Sequence, residues 1–151
     1  VCDPEEGMHA KFAGVLPTQV MGELPQNEAS FASLRALAGA HAGELAAILV
    51  EPRVQGAGGM RFHDVAVLRR LRALADELGA LLIFDEIFTG LGRTGAMFAC
   101  TEADVVPDIV TLGKALTGGT LPLAATVARL VAERPLGCTF VMDRDPPAFL
   151  D

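Results

Sequence analysis

Leu81-Leu82-Ile83-Phe84-Asp85-Glu86-Ile87 is an apolar run that ends on two carboxylates, and Leu112-Gly113-Lys114-Ala115 places a lysine 29 positions after Asp85. The first stretch reads as a buried strand finishing in an acid, the second as the end of another strand finishing in an amine. Short continuous apolar runs bounded by turn residues fit strands covered on both faces, as in helix-flanked parallel sheets. In such sheets ligands bind outside the carboxyl ends of the strands. The acid and the amine are therefore predicted to meet at one edge of one sheet.

The neighbouring segments agree with this. Upstream, Leu45-Ala46-Ala47-Ile48-Leu49-Val50 is a second apolar run, stopped by Glu51-Pro52 and followed by the glycine-rich turn Gln55-Gly56-Ala57-Gly58-Gly59. It too is expected to be buried on both faces. Asp64 then stands where a helix N-cap belongs. Val67, Leu68, Leu71, Leu74, Ala75 and Leu78 recur at three- and four-residue spacing, and Gly79 occupies the C-terminal stop. Strand, helix, strand in that order is a βαβ unit with an expected right-handed crossover.

Downstream, Gly90, Gly92 and Gly95 mark a loop, Pro107-Asp108 precedes a third strand over Ile109–Leu112, and Leu123–Val127 reads as a fourth. Towards the N-terminus, closely spaced prolines and glycines make residues 1–29 a chain of turns. A weak helix follows from Ser30 to Gly39, with Ser30 as its N-cap. The expectation is an α/β layer fold, a mainly parallel sheet flanked by helices, without repeats or an internal boundary. Residues 134–151 lack periodicity and read as a divergent tail, disordered or truncated.

Composition narrows the function. With 151 residues, 51% hydrophobic and 21% charged, the chain is one ordinary globular domain. A net charge of −7 argues against a nucleic-acid or anionic-membrane partner, and the absence of Tyr and Trp leaves few stacking platforms. Cys2, Cys100 and Cys138 are odd in number and form no CxxC, which fits reduced thiols in a cytoplasmic protein. His9, His41 and His63 are scattered, so no metal site is expected. No 18-residue apolar run occurs, and the opening Val1-Cys2-Asp3-Pro4 has no leader character, as expected of a fragment.

Lysine is scarce: ten arginines accompany only Lys11 and Lys114. A carboxylate and a single lysine at one sheet edge suit pyridoxal phosphate (PLP) chemistry. There a protein supplies a Schiff-base lysine and an acidic partner for the pyridinium nitrogen. Asp85 is the candidate acid, Lys114 the candidate lysine, and Ile87, two residues on, is expected to pack on the ring's flat face.

VCDPEEGMH (1–9), ILVEPRVQGAGGMRFHD (48–64), LLIFDEIFTGLGRTGAMFA (81–99) and VVPDIVTLGKALTGGTLPLAAT (105–126) together resemble the class III aminotransferases of the type I PLP fold. The likeness covers residues 1–133, which makes them the central part of a large PLP-binding domain. The DE(I/V)xTGxGRTG and GKALTGG patterns are highly specific for the class. QGAGGM and CDPxxGMH narrow the resemblance to its biotin-synthesis branch. The implied reaction moves an amino group from S-adenosylmethionine to 8-amino-7-oxononanoate and gives 7,8-diaminononanoate. The resemblance implies that Lys114 and Asp85 are catalytic and cofactor-binding, that Ile87 packs on the cofactor, and that Glu51 and Arg93 form an ion pair beside the substrate. It also implies small-molecule substrates and a homodimer across which the site is completed.

Departures from the pattern accompany the match. Phe88 and Leu91 are substitutions inside the loop, and Ala148 stands where the family places a threonine that reaches the partner's phosphate. The segments that cup the cofactor's phosphate and grip the substrate carboxylate in the family have no counterpart here, so the fragment itself is expected to be inactive. Two further readings of the chain are another class III aminotransferase using an ω-amino donor and a non-catalytic scaffold. An ATPase is disfavoured: GxxxxGK(S/T) would need glycine where Asp108 stands and a hydroxyl where Ala115 stands.

Overall fold

The computed structural model describes residue 15 and residues 19–129. The expected turns over 1–14 and 16–18, and the tail after 129, lie outside the described residues. In chain order the elements are helix α1 (Glu28–Ala40), strands β1 (Ala47–Val50), β2 (Val54–Gln55) and β3 (Arg61–Phe62), helix α2 (Val65–Leu78), strand β4 (Leu81–Asp85), helix α3 (Ala99–Ala103), and strands β5 (Ile109–Leu112) and β6 (Ala125–Ala128). A single 3₁₀ turn, Lys114–Leu116, follows β5.

Strands β1, β4, β5 and β6 form one sheet in that spatial order. The β1–β4 and β4–β5 pairs are parallel, with Val50 opposite Phe84 and Asp85 opposite Thr111. The β5–β6 pair is antiparallel. The glycine-rich turn after Glu51 closes a two-residue hairpin, β2 against β3, which short-range apolar patterning did not reveal.

Helix α2 forms where its caps and stripe place it. Asp64 accepts a hydrogen bond from the Ala66 N–H, and Gly79 adopts the left-handed conformation at φ 65°. A side-chain N-cap of this kind stabilises a helix by about 1 kcal/mol. Burial contributes more: Leu68, Leu71 and Leu74 are sealed from water, each stabilising by roughly 1.5–3 kcal/mol. Leu68 and Leu71 pack with Val50, Leu82 and Phe84 of the sheet, with Ala103 at the end of α3 and with Val105 just beyond it.

Helix α1 starts two residues earlier than expected. Asn27, not Ser30, is the N-cap, because its Oδ1 accepts from the Ser30 N–H at 3.0 Å. The Ser30 hydroxyl returns the bond, accepting from the Asn27 N–H at 3.0 Å, so Ser30 is the far half of a capping box.

Only one face of the sheet is covered among the described residues. Leu82 and Phe84 face α2 and are fully buried, while Leu81, Ile83 and Asp85 alternate to a half-buried face. On that second face Leu49 of β1 is 59% exposed. The expectation that β1 is buried on both sides is therefore corrected: no described segment lies over Leu49.

Candidate active site

The carboxyl ends of β4 and β5 carry the acid and the lysine. Asp85 is the last residue of β4, and its Oδ1 accepts from the Ile87 N–H at 3.0 Å and from the Thr111 hydroxyl at 3.2 Å. The second bond follows from register: residues opposite each other in a parallel pair share a face. Oδ2 of Asp85 accepts no hydrogen bond among the described residues, so one oxygen remains to take a donor.

Lys114 lies three residues past Thr111. Its backbone has φ 41°, in the left-handed region that an L-residue occupies at a cost of about 1–3 kcal/mol. Gly113 before it is held close: a Cβ there would sit 3.3 Å from Ile87 Cγ2. Ile87 thus touches both functional strands, by its N–H to Asp85 and by its side chain against Gly113. Because strand pairing ends at Asp85, two-residue alternation does not set the position of Ile87; these two contacts do.

The exposed Lys114 side chain reaches back, with Nζ over the Phe88 ring at 5.5 Å from its centroid. Arg93 stacks on the same ring at 4.9 Å. The glycine loop supports that ring, since a Cβ on Gly56 would lie 3.3 Å from it. Glu51 Oε2 accepts from the Gly56 N–H at 2.6 Å, and the ring of the buried His63 bonds the Glu51 carbonyl at 3.0 Å. No ion pair joins Glu51 to Arg93 among the described residues. Glu51 is engaged by the glycine loop and Arg93 by the aromatic ring, so Phe88 stands where direct pairing was expected.

Sequence reading missed two supports. Glu86 is only 1% exposed and accepts from the Thr89 hydroxyl at 2.9 Å, the Ala99 N–H at 3.1 Å and the Cys100 N–H at 3.0 Å. It fastens the loop 87–98 to the first turn of α3. Burial, and then the nearby Glu86 charge, push the Cys100 thiol above its ordinary value, which disfavours a thiolate there. Thr111 was read only as part of a strand. The signal for Glu86 was its adjacency to Asp85: alternation sends one carboxylate to the open face and the other inward, whereas Thr111 meets Asp85 only through the β4–β5 register.

No group of three or more His, Cys, Asp or Glu side chains among the described residues could hold a metal ion. No helix among them is long and apolar enough to cross a membrane.

A family model described as aminotransferase class-III matches residues 1–143 of the chain. The chain belongs to the class III aminotransferases. Among curated members, the adenosylmethionine-8-amino-7-oxononanoate aminotransferase of Mycobacterium leprae is 48% identical over 130 residues, covering 84% of this chain and 30% of that protein. The protein of the same name from Corynebacterium glutamicum is 46% identical over 132 residues, covering 84% and 31%. Among solved structures, the N-acetylornithine aminotransferase of Stenotrophomonas maltophilia K279a superposes with a TM-score of 0.58 at 46% identity, over 65% of this chain and 26% of that one. The chain thus spans about a third of the length of the curated class III aminotransferases it matches. Its α/β fold is a part of their PLP-binding domain.

The residues present fit the cofactor that the class implies. Asp85 has an oxygen without a partner among the described residues, fixed by two bonds to the other oxygen. Lys114 makes no ion pair among those residues, and Ile87 packs between the two ends. A charge-assisted bond from a ring nitrogen to such a carboxylate is worth about 1.5–3 kcal/mol.

Proposed function

We propose that the whole protein transfers an amino group from S-adenosylmethionine to 8-amino-7-oxononanoate, giving 7,8-diaminononanoate for biotin synthesis. The observation that carries the chemistry is the clamp at the sheet edge: Asp85 held by Ile87 and Thr111, with Gly113 packed on Ile87 and Lys114 next to it in the chain. The names of the curated relatives support the choice of donor and acceptor.

When bound, PLP supplies an electron sink for charge that develops at the carbon bearing the substrate's amino group. In this reading Asp85 Oδ2 holds the proton on the ring nitrogen, and the Thr111 and Ile87 bonds keep its carboxylate from rotating. Ile87 supports the flat face. Lys114 Nζ holds the cofactor and, once free, takes and returns the substrate proton as a general base. Arg93 and Glu51 belong to the substrate side of the site. The whole protein acts as a homodimer in the cytoplasm on small molecules, and the 151 residues alone do not turn over.

Loading the whole protein with PLP and reducing with borohydride should label Lys114; a label on any other residue overturns the assignment. Activity should follow S-adenosylmethionine over simple amines. A second reading, another class III aminotransferase, is favoured by the likeness to the N-acetylornithine enzyme. It prevails if an ω-amino donor is used and S-adenosylmethionine is not. Light scattering of the whole protein checks the dimer, cell fractionation its location, and an assay of the 151-residue chain its inactivity.

A further inference from the structure

We infer that Phe88 is a positioning residue for Lys114, holding the amine head by the face of its ring; the inference rests on the reading of Lys114 as the cofactor lysine. A lysine head sits on a flexible four-carbon stem, and an exposed one samples many rotamers. At Lys114 the backbone end of that stem is fixed by the 3₁₀ turn and by the close packing of Gly113 on Ile87. The head has no ion-pair partner and no hydrogen bond among the described residues. What it has is the Phe88 ring, 5.5 Å from Nζ to centroid, within the range at which a cation is drawn to an aromatic face.

The ring is itself supported. Gly56 approaches it so closely that a Cβ would lie 3.3 Å from its Cγ and Cδ1, and Glu51 holds the Gly56 N–H at 2.6 Å. Arg93 lies over the same ring at 4.9 Å. Two cations therefore share one aromatic side chain, which brings like charges together without placing a carboxylate between them. A carboxylate at position 88 would seize the lysine as an ion pair and compete with its chemistry. A leucine would fill the space but present no negative face. Phenylalanine holds the amine loosely enough to be released, and the backing by Glu51 and Gly56 sets where it is held.

The test uses the whole protein without cofactor, its lysines carrying [¹³C]methyl groups from reductive methylation. The Lys114 signal is assigned by its loss in Lys114→Arg. A dimethylated amine keeps its charge, so the ring should displace its methyl proton signal upfield of those of exposed lysines. Phe88→Tyr should keep that displacement and Phe88→Leu abolish it. On unmodified samples, the rate of PLP capture at Lys114 should fall roughly two- to fivefold in Phe88→Leu and recover in Phe88→Tyr.

A Lys114 signal that coincides with exposed lysines in the unsubstituted protein overturns the inference, as does a folded Phe88→Leu with unchanged signal and capture rate. If Phe88→Leu does not fold, the displacement in the unsubstituted protein and in Phe88→Tyr decides alone. PLP capture at Lys114 without ring displacement sinks the positioning role and spares the aminotransferase reading. Displacement without capture sinks the aminotransferase reading and the positioning role with it, leaving a lysine–ring contact alone.

Discussion

The Thr111 hydroxyl donates to Asp85 Oδ1 at 3.2 Å, joining the last residue of β4 to the strand that delivers Lys114. Removing it should loosen the acid without unfolding the sheet. Thr111→Val is expected to weaken PLP binding by the value of one hydrogen bond, about 0.5–1.5 kcal/mol. Thr111→Ser should restore most of it. Equilibrium titration of the whole apoprotein with PLP measures both, and equal affinity in all three proteins would dismiss the role.

Glu86 answers to stability, not to cofactor binding. Its buried carboxylate satisfies the Thr89 hydroxyl and the N–H groups of Ala99 and Cys100. Glu86→Ala leaves these donors orphaned at roughly 1–3 kcal/mol for each buried group, so a loss of about 3 kcal/mol or more is expected. Glu86→Gln keeps one acceptor oxygen and should lose less. Denaturant unfolding separates the two, and a near-neutral Glu86→Ala would be incompatible with the network.

Asp108 sets an acid limit. Its Oδ2 accepts from the Leu82 N–H at 2.8 Å and from Arg72 at 2.7 Å, tying α2 to the start of β4. Burial alone would raise its pKa, but the Leu82 N–H and then the Arg72 guanidinium outweigh it and hold the carboxyl below its ordinary value. A carboxyl lowered in the fold contributes stability above its unfolded value, about 3.9, and loses it as pH falls through the folded one. Asp108→Asn should therefore lower stability at neutral pH and flatten the acid limb below about pH 4. An acid limb unchanged in that variant would assign it to other carboxyls.

The open sheet face governs how the chain behaves by itself. Leu49 on that face, Val127 on the opposite face at the far edge of the sheet, and Leu121 and Leu123 before β6 are all more than half exposed, and mean hydropathy is +0.39. Uncovered strands and apolar patches of this kind pair with other molecules. The 151-residue chain is expected to self-associate at micromolar concentration, and a monodisperse monomer by light scattering would contradict this.

Local chemistry was legible wherever short-range rules act alone. Asp64, the apolar stripe of α2 and Gly79 specify a helix without help from the rest of the chain. Helix α1 was placed two residues late because Asn27 and Ser30 are both good caps, and only the observed bonds distinguish N-cap from N3. The β2–β3 hairpin went unread because two-residue strands carry no periodicity. The Glu51–Arg93 pair was anticipated from resemblance, yet Phe88, a residue with no charge, now stands between their roles.

Sequence by itself determined the strand–helix–strand frame, the edge at which Asp85 and Lys114 emerge, and membership of a family through motifs spread over 126 positions. Those follow from alternation, capping and residue identity, which are local. Tertiary structure alone decided what holds each carboxylate, Thr111 and Ile87 at Asp85 and Thr89, Ala99 and Cys100 at Glu86, and which face of the sheet stays bare. It also decided that an aromatic ring receives the lysine. Each depends on which distant segments come within a few ångströms of one another, and no spacing along the chain encodes that distance.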